Sequence, residues 1–261
     1  MASLFPEASS IEVDLESSDT DYALASDSST TQSLESSTGL WALDVADDFP
    51  SADVLGIDLS PIQPYWTAPN CRFVVDDVED IWPYPITKLF DYVHQRHMVG
   101  AISDWDRLFR QAFRQIRTGG YYEAQEFRVW FHSQGSQLPD DSSIQLWQHH
   151  LTEGTKAFGK SLNVVEQLAE KMSNAGFSGV QEEVLKVPIG PWPKDRRLKR
   201  VGQWMQLHAI DSVEPLTLAL FTRVLGWSEA ECRVLIAKVR QEFREREQLY
   251  VYAHFIYGRK L

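Results

Sequence analysis

The sequence predicts an α/β fold on a mostly parallel, doubly wound sheet, and three observations carry the prediction. Four runs, ADVLGID (52–58), CRFVVDD (71–77), LFDYVHQ (89–95) and GGYYEAQEF (119–127), set apolar or aromatic residues on consecutive positions, as strands buried on both faces require. Between the third and fourth, DWDRLFRQAFRQIRTGG spaces Trp105, Leu108, Phe109, Ala112, Phe113 and Ile116 three and four apart and stops at a glycine pair, which reads as an amphipathic helix feeding the next strand. The first strand ends on an acid, Asp58, at the edge where open α/β sheets hold their ligands.

The remaining elements follow in order. Residues 1–36 hold ten Ser, three Thr and eight acids with no Lys or Arg, too little apolar surface to offset the entropy of ordering, so a disordered, acidic, Ser-rich tail is expected there. One domain, 37–261, is expected to follow. It opens on a helix-forming run, TGLWALDVADDF, that leads into the strand at 52–58. Residues 162–176 (LNVVEQLAEKMSNAG) repeat the amphipathic spacing with Val165, Leu168, Ala169 and Met172, and lead into FSGVQEEVLKVPIG. A helical section spans 194–247, and YVYAHFIYGRK closes the chain as a last strand.

Composition removes several function classes. The formal charge is −12, but the tail carries eight of the acids, so the body is only mildly acidic and has none of the clustered Lys and Arg that nucleic-acid binding needs. Cys71 and Cys232 stand far apart, which excludes zinc held by cysteines and suits a reduced, intracellular setting, cytoplasmic or nuclear. No run of about 18 apolar residues and no signal peptide is present, so neither membrane insertion nor secretion is expected. There is no G-x-S-x-G, Walker loop or G-x-G-x-x-G, which leaves acyl hydrolysis and phosphoryl transfer unsupported.

The candidate site gathers at strand ends. A carboxylate at Asp58 can accept both hydroxyls of a ribose, or it can cap the turn LSPIQP. Asp77 in VVDDVED can bond an adenine amino group while Val78 packs on the ring, or it can belong to an exposed acidic turn. His94, Gln95, Arg96 and His97 follow the third strand as a polar rim. His94 and His97 are spaced for a metal, but no third ligand clusters with them, so no metal is assigned. His149 and His150 read as helix-surface residues.

Several motifs in fixed order carry a closer likeness: TGLWALDVADDFPSADVLGIDLSPIQP, PNCRFVVDDVED, FDYVHQRHMVG, DWDRLFRQAFRQIRTGGYYEAQEF, GPWPKD, LALFTRVLGWS and the closing YGRK. From about Thr38 to Leu261 the chain resembles the fungal LaeA-like methyltransferases, S-adenosylmethionine-dependent proteins associated with secondary metabolism. The resemblance implies a Rossmann-like class I methyltransferase sheet with an antiparallel last strand, and a helical cap over the substrate opening. It also implies a methyl transfer to a small fungal metabolite, with a regulator working through protein partners as the alternative. Carried over by position, Gly39 belongs to the glycine-rich turn, Asp58 with Leu59 to the ribose site, and Asp77 with Val78 to the adenine site. His94, Gln95 and Arg96 border the methionine end, and His97 is the candidate base. The family's G-T-G-T-G turn is incomplete: the aligned run S-L-E-S-S-T-G keeps Gly39 and sets Glu35 and Ser37 where the first two glycines stand. Side chains at those positions would crowd the cofactor, so weakened binding is expected, as is the loss of the apolar strand that precedes the turn.

Overall fold

The computed structural model describes residues 11–16, 39–60, 67–85, 87–135 and 137–261, the first of these as backbone. The strands are β1 (Ile11–Glu16), β2 (Asp53–Asp58), β3 (Cys71–Val75), β4 (Phe90–Arg96), β5 (Ile116–Ser133), β6 (Ser178–Ile189) and β7 (Leu249–Arg259). They form one sheet in the order β3-β2-β1-β4-β5-β7-β6. The first five are mutually parallel along this order, and β7 runs antiparallel to both β5 and β6. This is the mostly parallel α/β sheet with an antiparallel last strand that the sequence implies.

The central strand corrects one expectation. Residues Ile11–Glu16 lie in the stretch assigned to a disordered tail, yet they pair in parallel with β2 on one side and β4 on the other. The rest of 1–36, including Glu35, lies outside the described residues, as does Ser37. The cause is physical. β2 and β4 are buried along most of their length, and their inner edges would each leave a row of unmet N–H and C=O groups without a strand between them. IEVDLE supplies that strand with an alternating apolar pattern that the surrounding serines dilute.

The helices are α1 (Leu40–Asp48), α2 (Trp105–Gln115), α3 (Ser143–Phe158), α4 (Leu168–Asn174, preceded by a 3-10 turn at Val165–Gln167), α5 (Arg196–Arg223) and α6 (Glu229–Glu245). Helices α2, α3 and α5 start on side-chain caps: Asp104 accepts from the Arg107 N–H, Ser142 from Gln145, and Asp195 from Arg197 and Leu198. Ser228 and Glu231 form a reciprocal capping box on α6. Helix α3 carries His149 and His150, which the sequence reading placed on a helix without giving it bounds, and β5 runs past 127 to Ser133 because its extension still pairs with β7. β3 stops at Val75, so Asp76 and Asp77 lie in the following turn. The main core packs Phe90, Phe109, Trp147, Phe221 and Phe243, all fully buried, between the sheet and α2, α3, α5 and α6. A separate small cluster of Ala42, Ala46, Ala52, Val54 and Cys71 seats α1 on β2 and β3. Among the described residues no helix is long and apolar enough to cross a membrane.

Candidate functional site

The C-terminal ends of β2 and β3 open into a narrow cleft of about 20 Å³. Asp58, Leu59, Asp77 and Val78 line it, with Met98 and Ile102 on the facing side. Asp58 is only 5% exposed, and its Oδ1 accepts the Ser60 N–H at 2.7 Å, so the carboxylate that points into the cleft also fastens its own turn. This bond is the turn cap that the sequence reading weighed for Asp58. The turn after β3 is equally constrained. Asp77 Oδ1 accepts the Glu79 N–H at 2.8 Å, and the Trp82 indole donates to the Val78 carbonyl at 2.9 Å. The Glu79 carboxylate takes the Ser103 and Asp104 N–H groups, tying this turn to the start of α2. The apolar faces of Val78 and Ile102 are held beside the carboxylates of Asp58, Asp76 and Asp77, a combination that suits a flat heterocycle joined to a sugar.

Gly39 stands at the N-terminus of α1 with φ of 88°, a left-handed conformation that favours glycine. A Cβ there would lie 2.6 Å from the Phe73 ring, and one at Gly56 would lie 2.3 Å from it, so both positions need glycine to let that ring sit over β2. Trp41, one turn in, stacks on the His94 imidazole at 3.9 Å and 12°. His94 Nδ1 lies 3.3 Å from Glu123, which also accepts from the Tyr92 hydroxyl and from Gln125. Burial raises the Glu123 pKa, but the bonds from His94, Tyr92 and Gln125 outweigh it and leave the carboxyl below its ordinary value.

The segment after β4 is held from below. Glu126, 2% exposed on β5, accepts the N–H groups of Met98 at 2.8 Å and Val99 at 3.1 Å and the Gln95 amide at 2.5 Å. Gln95 in turn accepts from the Tyr122 hydroxyl at 2.5 Å, so both ends of its buried amide are engaged inside the fold. Burial drives the Glu126 pKa up to about 7 against the lowering effect of the three donors. This carboxyl fixes a segment that faces two ways: Met98 borders the cleft, while His97 and Val99 border a second hollow.

That second hollow, about 100 Å³, lies between β5 and α5. Phe127, Phe131, Trp147, Met205 and Leu216 give it an apolar wall. His97 and His208 bring two imidazoles to it, ring centroids 6.4 Å apart, and His97 also packs on Phe127 at 5.1 Å. His97 has φ of 56°, a bend that turns its ring from the β4 end into the hollow. Its ring keeps some surface toward the hollow but is otherwise enclosed. Burial first, then the charges of Arg96, His208 and His94, lower its pKa to about 3, so it is neutral at physiological pH.

The structure therefore brings Asp58, Leu59, Asp77 and Val78 into one cleft, sets Gly39 at the adjoining helix start, and places His97 across the Met98 segment in a separate hollow. His94 and Gln95 are buried in the networks beneath, and Arg96 ends β4 beside the end of β1. Trp41, Glu126 and His208 escaped the sequence reading. Of these only Glu126 carries a sequence signal: with Glu123 it is one of two acids set among the aromatic and small residues of GGYYEAQEF.

Residues 33–182 match the model of a family described as a methyltransferase domain. The chain is 41% identical over 210 residues to the methyltransferase pytC of Aspergillus terreus, covering 78% of this chain and 63% of that protein, so it spans under two thirds of that relative's length. It is 33% identical over 213 residues to a secondary metabolism regulator of Cochliobolus heterostrophus, covering 80% of this chain and 69% of that one. A phosphoethanolamine N-methyltransferase of Haemonchus contortus, solved with phosphomonomethylethanolamine and S-adenosylhomocysteine, superimposes with a TM-score of 0.52 at 17% identity, over 98% of this chain and 50% of that one.

Proposed function

From the premise that this chain belongs to the methyltransferase-domain family and is LaeA-like within it, we propose that it is an S-adenosylmethionine-dependent methyltransferase of fungal secondary metabolism acting on a small molecule. The observation that carries the reading is the Asp58 cleft and its junction, through Met98, with the apolar hollow. The residues fit the cofactor: Asp58 would take the ribose hydroxyls, Asp77 the adenine amino group, and Val78 with Ile102 the ring, while Gly39 and the His94 end of β4 border the methionine side. When bound, the cofactor supplies an electrophilic methyl group.

The chain's own part is placement. Methyl transfer is an in-line displacement in which holding two reactants in register supplies much of the rate, so no nucleophilic triad is needed. Glu126 holds the Met98–Val99 backbone that separates the two hollows, and α5 with Met205 and His208 closes the acceptor side against water. His97, neutral because it is enclosed, keeps a lone pair that can accept a hydrogen bond from an acceptor's hydroxyl and orient it. A protein of this kind would work inside the cell, in cytoplasm or nucleus, without nucleic-acid or membrane partners. A second reading, a regulator acting through protein partners, is favoured by relatives named as secondary metabolism regulators. Calorimetric titration with S-adenosylmethionine and S-adenosylhomocysteine tests the first: micromolar binding is expected, and absence of heat at millimolar ligand would sink it.

A further inference from the structure

The hollow between β5 and α5 is selective in its chemistry. Its polar side chains are His97, His208 and Ser212, with no carboxylate among the described residues that line it. Ser212 is committed, donating its hydroxyl to the His208 carbonyl at 2.7 Å, and the Trp147 indole is committed to Thr217 at 2.8 Å. Two imidazoles therefore remain to meet a ligand, set in a wall of Phe127, Phe131, Met205 and Leu216. Apolar burial and the neighbouring Arg96 oppose positive charge here, which is why His97 itself stays neutral. The same surroundings would oppose an ammonium group and tolerate a hydroxyl, including one that shares its proton with an imidazole.

We infer that the hollow binds a flat, largely apolar ring compound that presents one phenolic or enolic hydroxyl to His97 and His208. This rests on the reading of the hollow as the acceptor site. It narrows that reading to hydroxyl-bearing aromatic or enolic metabolites and sets amines aside. His97 is the inner contact, because it sits on the segment that borders the cofactor cleft; His208, exposed on α5, stands at the outer side.

The test is binding, independent of turnover. 1-Naphthol, naphthalene and 1-naphthylmethylamine are titrated into the full chain, into His97→Asn and into His208→Phe. Asn tolerates the left-handed backbone at 97 and withdraws the polar atoms, while Phe keeps the ring at 208 without its nitrogens. Circular dichroism verifies that each variant is folded. We expect 1-naphthol to bind at least tenfold more tightly than naphthalene or the amine, with the preference over naphthalene falling below threefold in His97→Asn and falling partway in His208→Phe. Equal affinity for naphthol and naphthalene, tighter binding of the amine, no binding of any probe, or an unchanged preference in His97→Asn would each overturn the assignment. S-adenosylhomocysteine is titrated in parallel. If it fails to bind while the naphthol preference holds, the methyltransferase reading falls and the hydroxyl site stands.

Discussion

The two halves of the sheet are built to different standards. On the β3-β2-β1 side the short helix α1 packs through small residues, Ala42, Ala46 and Ala52, and the edge strand leaves Val74 and Val75 exposed. On the β4-β5-β7-β6 side, large aromatic residues fill the space under α2, α3, α5 and α6. Each half carries a hollow of its own chemistry. The thin half offers carboxylates and hydrogen-bonded turns, and the thick half offers an apolar wall with two imidazoles. The contrast teaches a division of labour: the thin side recognises a ligand through fixed polar geometry, and the thick side through shape and exclusion of water.

The largest effect should come from breaking the seam between the halves. Val13 pairs by backbone with Leu55 on β2 and Val93 on β4. Proline there removes a ladder N–H from a central strand, so Val13→Pro is expected to cost about 3 kcal/mol or more, read from denaturant unfolding. An unchanged midpoint would detach residues 11–16 from the sheet.

Next is the recognition side itself. Asp58→Ala should weaken S-adenosylhomocysteine by roughly 30- to 150-fold, about 2–3 kcal/mol, because the ribose hydroxyls lose a charged acceptor. The same variant also frees the Ser60 turn, so a loss of melting temperature without a loss of affinity would reduce Asp58 to a structural cap.

A smaller effect distinguishes the halves by pH. Glu126 has a folded-state pKa of about 7 against an ordinary 4.5, so its folded state holds the extra proton, and its contribution to stability is lost as pH rises from about 4.5 to 7. His97 has the opposite sign: its folded-state pKa of about 3 against 6.5 means that stability is lost as pH falls from about 6.5 toward 3. In the parent chain the two slopes oppose each other between pH 4.5 and 6.5. Glu126→Gln should therefore show a steeper loss of stability on acidification than the parent, and His97→Asn a steeper loss as pH rises from about 4.5 to 6.5, each on the order of 1–2 kcal/mol. Identical pH profiles for both variants would show that these groups are not poised as described.

How much of this was legible follows from the kind of signal each residue gives. β2 and β4 announce themselves because burial on both faces demands consecutive apolar residues, and Asp58 stands out as the acid that ends such a run. β1 does not, because Ile11, Val13 and Leu15 alternate with Glu12, Asp14 and Glu16 inside a stretch whose average composition is that of a disordered chain. Glu126 is visible as a letter but not as a function. Its partners are the N–H groups of Met98 and Val99, which reach it only when β4 and β5 pair in register. His208 lies more than a hundred residues from His97, and no local spacing could join them. The smallest expected effect is a control on this legibility: Asp48, exposed at the end of α1, should tolerate alanine with under about 0.5 kcal/mol change in stability or cofactor affinity.

The claim that two distinct hollows serve one site is tested most directly by a crossed titration. S-adenosylhomocysteine and 1-naphthol are each measured by calorimetry against the parent chain, Asp58→Ala and His97→Asn. The account predicts that Asp58→Ala weakens the nucleoside by roughly 30-fold or more and leaves naphthol within about twofold, and that His97→Asn weakens naphthol while leaving the nucleoside within about twofold. Loss of both ligands in the same folded variant, with neither affected by the other, would contradict it.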